Sequence, residues 1–137
     1  MPDVATALGS GWTVSYEQTM GEMQTHVWLA DGKKPATLFP ALPAQLPNAD
    51  AAAGWGGDRL FSLDGPDGAW GIVWQTEWDS KADQKEFRST ARKVMQDLPG
   101  AHRATDADVV GGLSSPVLVL VADSDATLGD LEKALGI

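Results

Sequence analysis

Trp70, Ile72, Trp74, Thr76 and Trp78 occupy every second position of one short stretch, and this alternation constrains the chain more than any other feature. Side chains alternate across a β-strand, so a strand sets all five on one face, where three indoles need a partner layer to bury them. Upstream, Asp64-Gly65-Pro66-Asp67-Gly68 supplies turn residues, which predicts a hairpin with strands over about Arg59 to Leu63 and Ala69 to Trp78. The other side of the second strand, Gly71, Val73, Gln75 and Glu77, reads as largely polar.

After the hairpin, Asp79 or Ser80 caps a helix, with Ser80 and Asp83 forming a capping box that uses a shorter acid. Phe87, Ala91, Val94, Met95 and Leu98 make its apolar stripe, and Pro99-Gly100 ends it. Ala101 to Val110 is expected as an edge strand, joined through Gly111-Gly112 and Ser114-Ser115 to the run from Pro116 to Ala122. That run is apolar on both faces and predicts a buried strand. Thr127-Leu128-Gly129-Asp130-Leu131 opens a last helix through Leu135.

Toward the start, residues 1–10 are small and polar and are expected to fray, and Trp12 to Tyr16 predicts a short strand. Thr19 with Glu22 fits a capping box, opening a helix to about Ala30 with Met20, Met23, Val27 and Trp28 on one face. Four prolines between Pro35 and Pro47 predict a proline-rich loop over 33–48, pinned on the core by Leu38, Phe39, Leu42 and Leu46; a partner-binding proline segment is the alternative. Asn48 caps a short alanine helix that Gly54 stops.

These elements sum to a single α+β domain over 11–137, a mostly antiparallel sheet of four to five strands with helices packed mainly on one face. The opening of the last helix echoes Thr19-Met20-Gly21-Glu22-Met23, so a degenerate helix-strand-strand repeat stands beside the plainer reading that capped helices often begin this way.

With 43% apolar residues in 137, the chain can build one core, and a second domain is not expected. Nineteen acidic against ten basic residues give a net charge of −9, which opposes binding to nucleic acid or to an anionic membrane surface. No apolar run approaches membrane-spanning length, and no signal peptide is read at the start. The absence of cysteine rules out disulfides, thiolate metal sites and cysteine catalysis.

No catalytic set, metal site or cofactor is assigned. His26 and His102 occur singly, without ligand spacing. Asp123, Asp125 and Asp130 offer oxygens to a hard cation, yet they lack the glycine and distal Glu of an EF-hand, so turn and capping duty is the stronger reading. Gly54-Trp55-Gly56-Gly57 lacks the spacing of a phosphate loop and reads as a sharp backbone turn. Asp58 and Arg59, as strand neighbours, point to opposite faces; Asp58 is expected to accept from the glycine-turn amides and Arg59 to meet a carboxylate elsewhere. Trp70, Trp74 and Trp78 read first as core and second as a stacking platform for sugar rings. Trp28 and Trp55, beside loop residues, are candidates for contact with a partner.

Thr19-Met20-Gly21-Glu22, Ala52-Ala53-Gly54-Trp55-Gly56-Gly57-Asp58-Arg59 and the stretch from Trp78-Asp79 through Asp83 to Phe87 carry a family resemblance. Together they resemble the C-terminal module of secreted or lipid-anchored prokaryotic surface proteins related to zinc metallopeptidases. The resemblance spans about residues 19–90, and two departures stand out: no H-E-x-x-H helix is present, and Gln84 stands where that family usually has Ala. It implies a non-catalytic accessory or interaction module in an extracellular or envelope setting, with a protein or glycan partner. The alternatives are a stand-alone small-ligand or glycan-binding protein that uses the tryptophan-rich sheet, and an enzyme that uses Asp58, Glu77 and Asp79.

Overall fold

The computed structural model describes residues 3–29, 49–107 and 115–137. The proline-rich stretch 33–48, and the connection expected at Gly111-Gly112, lie outside the described residues. In chain order the elements are α1 (Val4–Leu8), β1 (Thr13–Gln18), α2 (Gly21–Leu29), β2 (Trp55–Asp64), β3 (Trp70–Trp78), α3 (Lys81–Met95), β4 (Ala101–Asp106), β5 (Pro116–Ala122) and α4 (Asp125–Leu135). Single 3₁₀ turns stand at Ala49–Ala52, where the alanine helix is expected, and at Pro66–Gly68 inside the hairpin turn.

The strands form one sheet in the order β1-β2-β3-β5-β4, antiparallel at every junction. The α+β class and the antiparallel sheet are therefore as expected. Leu60 stands opposite Trp74, Trp74 opposite Val119 and Val119 opposite Ala104, so one row of side chains crosses four strands on one face. The hairpin closes with Asp67 at φ 57° and Gly68 at φ 79°, left-handed values that Asp and Gly accept more readily than other residues.

Helices cover both faces, which corrects the expectation that they gather mainly on one. On the tryptophan face, Phe87, Ala91 and Met95 of α3 and Leu29 of α2 bury Trp74, Trp78, Val117 and Val119. Phe87 stacks on Trp78 with ring centroids 4.4 Å apart and meets Trp74 edge-on at 5.7 Å, while Trp28 meets Trp74 edge-on at 5.1 Å. On the other face, Leu63, Val73, Leu118, Leu120 and Ala122 pack against α1 and α4 through Val4, Ala5, Leu131 and Leu135. That side of β3 is apolar where Leu131 crosses it: a Cβ at Gly71 would lie 2.9 Å from a Leu131 methyl. The frayed start gives way at Val4 for the same reason, since Val4 and Ala5 belong to this core.

Two local expectations move. The helix start read at Thr127 lies at Asp125, because Ser124 is the cap and accepts the Thr127 amide at 3.2 Å. Ser80 caps α3 in the same way, accepting the Asp83 amide at 3.2 Å, and α3 ends at Met95 rather than Leu98.

The strand order also bears on the repeat. The units α2-β2-β3 and α3-β4-β5 enter the sheet as mirror-ordered pairs, β2-β3 beside β5-β4, with α2 and α3 on the same face. In strand order, this is the arrangement in which a two-fold rotation normal to the sheet at the β3–β5 junction exchanges β3 with β5 and β2 with β4. The counterpart of α2 is thus α3, while the helix whose sequence echoes α2, α4, lies on the opposite face.

Candidate functional site

The glycine turn ends in an internal lock. Gly54 has φ +78°, and a Cβ there would come within 2.5 Å of the Asp83 carboxyl carbon, so only glycine fits between the turn and the start of α3. Its carbonyl accepts the Asp79 amide at 2.7 Å. The β2–β3 register shifts between Trp55 and Gly57, a bulge at Gly56 that bends the strand before Asp58. Asp58 then accepts the amides of Met20 at 2.7 Å and Gly21 at 2.8 Å, and the Trp74 indole N–H at 3.0 Å.

The amides of its own turn, the expected partners, are not those it holds. Asp58 instead caps α2 from β2, supplying the negative charge that a helix start favours. It does at long range what Thr19 is expected to do locally. Arg59, on the opposite face, meets Glu17 at 3.0 Å, with both side chains exposed. The three segments that carry the family resemblance therefore converge on one node, and the hydrogen bonds that hold this node together are internal to the fold.

Of the carboxylates of the enzyme reading, Asp58 is not brought together with Glu77. Asp58 pairs opposite Thr76 and Gly57 opposite Glu77, so Asp58 and Glu77 project from opposite faces of the sheet. Glu77 Oε1 accepts the Ser115 amide at 3.1 Å. Buried Gln84 donates to the Pro116 carbonyl at 2.7 Å and ties α3 to β5. Trp78 donates to Thr76 at 2.8 Å, and Thr76 donates to the Val117 carbonyl at 3.1 Å.

Among the acids after β5, Asp123 accepts the Trp70 amide at 3.2 Å. Its carboxyl is held below the ordinary value of 3.8, chiefly by the Thr127 hydroxyl and further by that amide. Among the described residues no three His, Asp or Glu side chains are grouped to hold a metal ion. His102 lies on β4, with Nδ1 buried and without a hydrogen-bond partner among the described residues.

Among the described residues a pocket of about 370 Å³ lies on the tryptophan face. Its floor is the sheet, through Leu60 of β2, Ile72 and Trp74 of β3, and Val119 and Val121 of β5. Met20 and Trp28 form the α2 side, Leu98 and Pro99 the side beyond α3, and Trp70 the rim. Register explains the floor: Leu60, Trp74 and Val119 share one row, and Ile72 and Val121 are paired in the next. Asp58 helps to set its shape, since it fixes both the α2 start beside Met20 and the Trp74 ring.

Of Trp28, Trp55, Trp70 and Trp74, the candidates for ligand contact, the first and the last two line this pocket. Trp55 does not; it stands at the bulge opposite Trp78, its indole nitrogen buried and without a partner among the described residues. The core reading is right for Trp74 and Trp78, which are 3% and 1% exposed, and wrong for Trp70, which is 39% exposed. In sequence Leu98 reads as the last residue of an apolar stripe and Pro99 as a helix stop, and nothing there marks them as a pocket wall. A second hollow of about 440 Å³ on the opposite face mixes charged Asp3, Glu17 and Arg59 with Val14 and Phe61.

Among the described residues no helix is long and apolar enough to cross a membrane. A family model described as a domain of unknown function (DUF8575) matches residues 12–128. No curated protein and no solved structure matches the chain.

Proposed function

The chain belongs to the DUF8575 family, and from that premise we propose that it is a non-catalytic binding module whose contact site is the pocket lined by Trp28, Trp70 and Trp74. The observation that carries this reading is the pocket itself. Its volume falls within the range of small-molecule sites, and its walls combine sheet, helix and loop on a rigid floor. The carboxylates weigh against an enzyme: both oxygens of Asp58 hold backbone amides, and Glu77 lies across the sheet from it.

Six indole N–H signals report on the chain. Titration of isotope-labelled protein with a mixed small-molecule library is expected to shift the Trp28, Trp70 and Trp74 signals and to leave Trp12 and Trp78 in place. Shifts that avoid those three, or none at any concentration, contradict the proposal.

The proposal includes the setting implied by the resemblance, an accessory module of an envelope-associated, metallopeptidase-like protein. Its support is that the three segments quoted for the resemblance are joined in the fold, Met20 and Gly21 to Asp58 and Asp79 to Gly54. An antibody blot of fractionated native cells tests it: an envelope-associated band larger than 14.5 kDa is expected, and a soluble band at that size contradicts it.

A further inference from the structure

We propose that the pocket takes a neutral, apolar molecule about the size of two fused or linked rings, rather than a sugar or an organic cation. This rests on the reading of the pocket as the contact site and names the chemistry of its ligand.

Charge is the first argument. In a chain with 19 acidic and 10 basic residues, none of the ten lining side chains is ionisable. Apart from the indole N–H groups, none carries an oxygen or a nitrogen, and the Trp74 N–H already donates to Asp58. Among the described lining residues a sugar seated here would find only the Trp28 and Trp70 N–H groups for its several hydroxyls, and burying an unpaired hydroxyl is unfavourable even where a ring stacks well.

A cation fares no better. Aromatic cages hold ammonium groups against open ring faces, but Trp28 and Trp74 meet edge to face at 5.1 Å, so one ring covers a face of the other. Among the described residues no carboxylate lines the pocket to compensate.

Size and shape set the rest. An apolar cavity of about 150 Å³ accommodates benzene. At about 370 Å³ this pocket has room for two rings. Its floor is the side-chain row of Leu60, Trp74 and Val119, and Trp28 and Pro99 flank it.

N-phenyl-1-naphthylamine, neutral and fluorescent only in apolar surroundings, is the probe. The whole chain is expected to bind it with enhanced emission and with shifts of the Trp28, Trp70 and Trp74 indole signals. Trp70→Ala and Leu98→Asp, both at half-exposed rim positions, are each expected to weaken binding by about tenfold or more without changing the melting temperature. Val14→Ala, on the opposite face, is the control and leaves binding unchanged.

Probe binding that neither rim variant alters overturns the inference. Shifts of those indoles by maltose or tetramethylammonium, with or without displacement of the probe, overturn the ligand class while the pocket reading stands. If no probe reaches those indoles, both fall.

Discussion

Asp58 shows how one side chain fixes geometry that its neighbours in sequence do not. Its carboxylate holds Met20 N, Gly21 N and Trp74 Nε1 at 2.7, 2.8 and 3.0 Å, joining the α2 start to the middle of β3. Asp58→Ala leaves two amides and an indole N–H to find other partners, and the expected loss is about 3 kcal/mol. For a domain of this size that lowers the melting temperature by roughly 10 °C in a thermal unfolding curve. A variant that keeps the parental midpoint contradicts the capping role. The opposite orientations of Asp58 and Arg59 were legible, because strand neighbours alternate. The identity of the Asp58 donors was not, because the two amides lie 38 and 37 residues upstream and only chain folding brings them near.

At the scale of elements, legibility followed how much of the decision is local. The apolar run Pro116–Ala122 appears as the buried strand β5, and Ser80 caps α3, because burial pattern and cap chemistry are written within a few residues. The helix α1 escaped notice, since five residues have too little intrinsic helicity to form alone and this one depends on packing against α4. The face assignment also failed locally: Gly71, Val73, Gln75 and Glu77 look polar as a set, yet Val73 and the bare surface at Gly71 are what α4 covers. On the tryptophan face α3 is anchored by Phe87, stacked on Trp78 and edge-on to Trp74. Phe87→Ala opens a cavity between helix and sheet and is expected to cost roughly 3–5 kcal/mol, read from urea unfolding with a matching loss of near-ultraviolet tryptophan dichroism. A loss under about 1 kcal/mol contradicts that anchoring role.

Across the whole molecule, the sheet lies between two helical layers, and the thinner one depends on the chain start. Val4→Asp tests this directly. A frayed terminus tolerates the change, whereas burial of a carboxylate beside Leu63 and Leu131 predicts a loss of about 2–3 kcal/mol in unfolding free energy, read from the denaturation midpoint. The two-fold relation between α2-β2-β3 and α3-β4-β5 is also a property of this scale, because it appears in strand order and shared face rather than in matching residues. By itself, the sequence determined the class, the hairpin, the capped helix α3, the buried strand β5 and the fact that several tryptophans need a partner layer. Those outcomes rest on periodicity, capping and turn chemistry, which act over a few residues. Only the tertiary structure decided which face each helix covers, that Asp58 locks α2, and that Trp28, Trp70 and Trp74 meet Leu98 and Pro99 around one pocket. Those outcomes depend on contacts between segments tens of residues apart, where the hydrophobic drive specifies burial but not partners.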